Sequence, residues 1–251
     1  MKSENKDKLM QLKLPAFVEV FDEIMANSSH NLSLEESLAM MVDRELILRD
    51  NRRLARLLKS AKLRYPSASI HNIDFSDRRE FNKEQVRELT HCDWVQKMRN
   101  VILTGPTGSG KSYLACALGH QACQKGFRTK YFRVTRLIEQ LRLSHADGSY
   151  TRLLEQLAKI DLLILDDWGI DQLDRQGRRD LLEVLEDRYA KSSTIITAQL
   201  PTDHWHNFIG DDTIADAVCD RVMSNSYRLT FKGDSLRDNK NLTHDGQLVR
   251  S

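Results

Sequence analysis

The chain has 251 residues, 40% of them hydrophobic and 29% charged, with a net charge of +2. That is enough apolar residue for one large domain, or for a medium domain with a small appendage. No run of about 18 apolar residues occurs, so a helical membrane span is excluded. No signal-peptide pattern follows Met1, and a soluble cytoplasmic protein without a membrane partner is expected.

Apolar residues at helical spacing (Leu12, Phe17, Val20, Phe21, Ile24) predict a helix over residues 9–26, and residues 27–31 read as a turn. Ser33 stands three residues before Glu36, a capping box that opens a second helix. It carries Leu38, Met41, Leu46, Leu54, Leu57, Leu58 and Ala61 and ends before Pro66. Its later half holds Arg44, Arg49, Arg52, Arg53, Arg56, Lys59, Lys62 and Arg64 against only Glu45 and Asp50. Such a run reads either as a solvated face or as a surface for nucleic-acid phosphates. The shortage of acidic partners at i,i+4 leans toward phosphates. No aromatics are interleaved, which favours a duplex backbone over stacking on single-stranded bases.

Residues 67–82 are polar and irregular and read as a linker. A short helix is expected over residues 83–98, packing Val86, Leu89, Trp94 and Val95 on the domain that follows. His71 and His91 stand alone and read as ordinary surface or hydrogen-bonded histidines. Cys92, Cys116, Cys123 and Cys219 have no CxxC spacing. They read as reduced structural thiols rather than a zinc site.

The apolar run Val101-Ile102-Leu103 leads into Gly105-Pro106-Thr107-Gly108-Ser109-Gly110-Lys111-Ser112, followed by a helix-compatible stretch. Strand, glycine-rich turn and helix in that order make a P-loop. Its backbone N–H groups curl around phosphate, helped by the positive end of the helix. Lys111 is expected on the β- and γ-phosphates and the Ser112 hydroxyl on Mg²⁺. ATP with Mg²⁺ is the implied ligand.

A strand over residues 129–134 and helices over 136–143 and 150–159 come next. The run Leu162-Leu163-Ile164-Leu165 then ends in Asp166-Asp167, the Walker B pattern. Alternating strands and helices imply a parallel sheet with the ligand at the strands' carboxyl ends. Asp166 is expected at the Mg²⁺, and Asp167 is expected to orient or deprotonate the attacking water. A helix over 176–190 precedes the strand 194–199, whose terminal Gln199 is a candidate for the γ-phosphate or the water. Helices near Trp205 and over 212–223, a strand over 227–231 and a polar tail complete the chain.

With these motifs, the Leu14-Pro15 segment, Asp220-Arg221-Val222 and Gly233-Asp234-Ser235-Leu236-Arg237, the chain resembles AAA+ ATPases of the helicase-loader and IstB-like branch. It is most similar to the IstB-like helper ATPases of bacterial insertion sequences. The resemblance implies a sensor-1 role for Gln199, where Asn or Asp is commoner. It implies an arginine finger acting on a neighbouring subunit at Arg221, and a nucleotide-sensing arginine at Arg237. Asp167 stands where AAA+ proteins usually carry Glu. The shorter side chain shifts the carboxylate by about 1 Å, enough to cost roughly 10²-fold in rate, so slow hydrolysis is implied.

The expected fold is a three-layer α/β P-loop domain with a parallel sheet behind a small all-helical N-terminal domain. The boundaries are 1–66 for the helical domain, 67–98 for linker and short helix, and 99–251 for the ATPase domain. The expected function is ATP-dependent assembly on duplex DNA as a homo-oligomer that recruits or stimulates the transposase of the same element. Arg49, Arg52, Arg53, Arg56, Lys59 and Lys62 would supply the DNA contacts. The alternatives are a replicative helicase loader of the DnaC type and a small-molecule kinase, for which no lid or acceptor pocket is visible.

Overall fold

The computed structural model describes residues 3–26, 32–73 and 83–232. The contacts divide the chain into two compact units, residues 1–56 and 57–251.

The first unit is all helical. The helix expected over 9–26 is two helices, α1 (Ser3–Gln11) and α2 (Pro15–Ala26). Lys13 takes a left-handed φ of 59°. The Leu14 N–H bonds to the Leu9 carbonyl and the Lys13 N–H to the Met10 carbonyl, the paired bonds of a Schellman stop. Pro15 explains the position: it disfavours a helical residue before it and serves as the first residue of the next helix. The capping box is present, Ser33 N–H on Glu36 Oε2 at 2.7 Å and Glu36 N–H on Ser33 Oγ at 3.2 Å, and α3 runs Leu34–Ala61. The unit boundary falls within α3. Buried Glu45 accepts from the Ala16 N–H and from Arg49 Nε, and Arg49 Nη2 reaches the Lys13 carbonyl at 3.2 Å. One carboxylate and one guanidinium thus tie the joint between α1 and α2 to α3.

In the second unit α3 ends at Ala61, just before Lys62, whose φ is 51°, and ahead of Pro66. Past a segment outside the described residues, the helix expected over 83–98 is also two, α4 (Lys83–Thr90) and α5 (Asp93–Gln96). They break at Cys92, which is left-handed at φ 62°. Val86, Leu89, Trp94 and Val95 are buried as expected.

Five parallel strands follow: β1 (Asn100–Thr104), β2 (Thr129–Arg133), β3 (Leu162–Trp168), β4 (Ser193–Ala198) and β5 (Ser226–Thr230), in the order β2-β3-β4-β1-β5. The connecting helices are α6 (Lys111–Gln124), α7 (Val134–Asp147), α8 (Tyr150–Ala158), α9 (Arg175–Arg188), α10 (Trp205–Ile209) and α11 (Asp212–Met223). Strand alternation divides the core. Leu163, Leu165, Ile196 and Ala198 join one cluster with α7, α8, α9 and α11. Ile164 faces the other way, onto α6, where a Cβ on Gly119 would lie 2.7 Å from Ile164 Cδ1. The result is the expected three-layer α/β arrangement. At the amino ends of the strands, buried Arg188 donates to the carbonyls of Leu157, Ile160 and Ser193. Desolvation lowers its pKa to about 9.

Candidate nucleotide site

The site lies at the carboxyl ends of β1, β3 and β4, where a parallel sheet gathers ligands. β1 ends at Thr104, and the P-loop leaves it at once. Gly105 is required there: with φ at 143°, an added Cβ would sit 2.4 Å from the Phe231 carbonyl oxygen. Phe231 is held close because its N–H bonds to the Thr104 carbonyl at 2.7 Å. Gly110, left-handed at φ 96°, caps α6, so Lys111 is the first helical residue. The Lys111 ammonium is 2.7 Å from the carbonyls of Gly105 and Pro106 and 3.4 Å from Ser109 Oγ, spanning the loop's concavity. Pro106 and Thr107 are exposed, and Gly108 completes the turn with φ at 84°. Curled N–H groups, a helix amino end and an ammonium together suit a polyphosphate.

Asp166 is the node of the site. It is fully buried, and its Oδ1 accepts from Ser112 Oγ at 2.7 Å and from Thr197 Oγ1. Its Oδ2 accepts from Tyr131 OH at 2.6 Å and Arg64 Nη1 at 3.4 Å. The Ser112 hydroxyl and the Asp166 carboxylate are hard oxygen donors side by side, the chemistry Mg²⁺ takes alongside phosphate oxygens and water. Burial and the hydrogen bond to Asp166 push the Tyr131 phenol far above its ordinary range, so it remains a neutral donor.

Simple alternation would send Asp167 to the opposite face from Asp166, into the α7–α9 core. A bulge prevents this. From Leu165 to Trp168, β3 advances three residues while β4 advances two, Ile196 to Ala198. Asp167 sits at the irregularity with φ at 63°, and buried Trp168 takes the core position instead. The extra residue re-aims a side chain, as bulges beside functional sites do. Both carboxylates consequently meet one guanidinium: Arg64 Nη1 is 3.4 Å from Asp166 Oδ2 and 3.8 Å from Asp167 Oδ2. Arg133 Nε approaches Asp167 Oδ2 at 3.3 Å. Burial and the Asp166 charge raise the Asp167 pKa, outweighing Arg133, Arg64 and Lys111.

Of the other expected site residues, Gln199 and Arg221 make no contact with this cluster among the described hydrogen bonds and ion pairs. Gln199 stands exposed one position past β4, and the hydroxyl reaching both carboxylate positions belongs to Thr197, which also accepts the Asp167 N–H at 3.2 Å. A hydroxyl directly after the apolar pair Ile195-Ile196, near the end of the strand, was the signal for Thr197. Arg64 and Tyr131 had no such signal, since their contacts with Asp166 span 102 and 35 residues. Arg221, on α11, pairs with Glu186 of α9 in its own chain. Its carbonyl accepts from Asn100 Nδ2 at 3.2 Å, at the start of β1. The P-loop begins beyond the other end of that five-residue strand, about 16 Å away. Arg237 lies outside the described residues.

On α3, Arg49, Arg52, Arg53, Arg56 and Lys59 are exposed and recur within about 120° of arc at 100° per residue. Leu54, Leu57, Leu58 and Ala61 occupy the opposite arc. Arg49 is committed to Glu45 and Lys13, and Arg56 Nε touches the Arg52 carbonyl at 3.3 Å. Lys62 is exposed beyond the helix end.

The sequence model of the IstB-like ATP binding protein family matches residues 7–243, nearly the whole chain. The chain belongs to this family. A Sinorhizobium fredii relative named as an insertion-sequence ATP-binding protein is 44% identical over 93% of this chain and 96% of its own length. One from Pseudomonas fluorescens, named for insertion sequence IS1162, is 47% identical over 80% of this chain and 88% of its own. Among solved structures, the DnaC helicase loader superposes with a TM-score of 0.56 at 21% identity, covering 67% of this chain and 99% of that one. DnaI gives 0.58 at 19% identity, covering 71% and 94%. At these identities the likeness shows a shared fold. This IstB-like protein thus shares the fold of the DnaC helicase loader, and no helix among its described residues is long and apolar enough to cross a membrane.

Proposed function

We propose that this IstB-like protein hydrolyses ATP between subunits and uses the ATP-bound assembly to hold duplex DNA for the transposase of the same element. The observation that carries the reading is the bulge that turns Asp166 and Asp167 toward one side, beside Ser112 and Lys111. Lys111 would bind the β- and γ-phosphates, and Ser112 and Asp166 would hold Mg²⁺, which neutralises charge on the phosphate oxygens when bound. Asp167, with its pKa raised, suits a group that orders the attacking water and draws off its proton. Thr197 would orient both carboxylates through its hydroxyl and the Asp167 N–H. Gln199, one step past the strand, and Arg237 remain candidates for contact with the γ-phosphate.

Arg221 would complete the site of a neighbouring subunit, because its own P-loop lies across the sheet. The exposed arginines of α3 with Lys59 and Lys62 would contact DNA phosphates. Each subunit supplies few such contacts, so tight binding would require several subunits on one duplex.

Arg221→Ala tests the shared site. The expected result is nucleotide affinity within about twofold of wild type, and assembly-stimulated hydrolysis reduced by about 10³-fold, the worth of an arginine in trans. Wild-type turnover in the assembled variant would refute the role.

A further inference from the structure

Beside the edge strand β2 lies a cavity of about 630 Å³, separate from the P-loop. Lys62, Arg64, Lys130, Arg133 and Arg136 line it, and its apolar wall includes Phe132 and Leu157. No acidic side chain lines it among the described residues. The cations come from three places in the chain: the end of α3, β2 and the first turn of α7. Lys130 is bound through the Ser60 carbonyl at 3.0 Å rather than a carboxylate. Burial and the neighbouring Lys62 charge lower its pKa, so like charges crowd one another here. Two of the five, Arg64 and Arg133, also reach Asp166 and Asp167.

We propose that this cavity is a second anion site that takes a phosphate group, and that its ligand competes with Asp166 and Asp167 for Arg64 and Arg133. A phosphate there neutralises Lys62 and Lys130, which have no carboxylate partner among the described residues, and draws on Arg64, Arg133 and Arg136, the last paired with Glu139 at 2.7 Å. Guanidinium groups bind phosphate through paired N–H donors. Drawing them outward leaves the two carboxylates freer for Mg²⁺. Occupancy then strengthens binding of Mg·nucleotide at the P-loop, and by linkage nucleotide strengthens anion binding equally. The coupling rests on the nucleotide-site reading above; the anion site does not.

The test uses the full chain saturated with Mg²⁺ and a non-hydrolysable ATP analogue, so that the P-loop is filled. Inorganic phosphate is titrated in one arm by calorimetry. In the other, a short DNA duplex is titrated into protein carrying Arg52→Gln, Arg53→Gln and Arg56→Gln, which removes the α3 contribution. Each arm is repeated with Lys130→Gln and Arg136→Gln together, with melting temperature and analogue affinity as controls for folding. The double substitution is expected to weaken the anion at least tenfold while both controls hold. A loss in the phosphate arm alone identifies free phosphate as the ligand, and a loss in the duplex arm identifies the nucleic-acid backbone. Saturating anion is expected to tighten Mg·analogue at least threefold in wild type and not in the double variant. Anion affinity unchanged by the double substitution, or no anion binding in either arm, overturns the site. Anion binding without the threefold effect overturns the competition. Failure of the analogue itself to bind would instead count against the nucleotide-site reading.

Discussion

Thr197 is the residue on which the two carboxylates depend together. Its hydroxyl donates to Asp166 and accepts the backbone N–H of Asp167, at the left-handed position of the bulge. Valine would keep the shape and remove both bonds, leaving a donor inside the fold without its acceptor. Thr197→Val is expected to cost about 1–3 kcal/mol, read from the urea midpoint, and to reduce hydrolysis more than nucleotide binding. Unchanged stability would mean that the hydroxyl holds neither group. The P-loop was legible because its chemistry is local: eight consecutive residues between a strand and a helix specify their own backbone. Asp166 was legible for a similar reason, as the polar end of a buried strand. That both carboxylates face one way was not legible, because alternation alone predicts the reverse and the bulge appears only in the pairing with β4. Arg64 was read with the other α3 cations, yet its side chain turns to Asp166, a pairing that only the folded sheet creates.

At the scale of elements, the sheet's amino edge is held by a small charge-assisted clamp. Asp161, just before β3, accepts from the Arg128 backbone N–H at 2.8 Å and from its guanidinium at 3.1 and 2.7 Å, just before β2. Burial raises the Asp161 pKa, but the Arg128 bonds and charge outweigh it, and the net shift is downward. The folded state therefore favours the ionised carboxylate. Its stabilisation is complete above the unfolded pKa of about 3.9 and disappears as pH falls through the lower folded value. Since the pair is partly exposed, Asp161→Asn is expected to cost only about 1 kcal/mol at pH 7. That corresponds to a fall in melting temperature of about 2–4 °C, with the gap from wild type closing below pH 4. A gap that persists there would assign the loss to packing. The two helices read as continuous, 9–26 and 83–98, also belong to this scale. Periodicity continued through both, but left-handed turns at Lys13 and Cys92 interrupt them. Pro15 was a visible warning of the first break. Cys92 carried none, for its backbone is set by Trp94, whose Nε1 bonds back to the Leu89 carbonyl at 2.9 Å.

For the whole molecule, the parallel sheet places the P-loop and the Arg221 backbone at opposite ends of β1, which is why the proposal assigns that arginine to a neighbouring subunit. In the function proposed above, a second copy completes the site, and assembly and hydrolysis become parts of one event. In such an assembly, the exposed basic face of α3 would supply a row of cations that gains strength with each added subunit. The most direct test of this account is duplex-DNA binding by the full chain with ATP, with ADP and without nucleotide, over a salt series, with particle size followed in parallel. ATP alone is predicted to produce large DNA-bound multimers that salt weakens steeply, as release of counterions from many phosphate contacts requires. DNA binding that is absent, or that is the same whichever nucleotide is present, would contradict it.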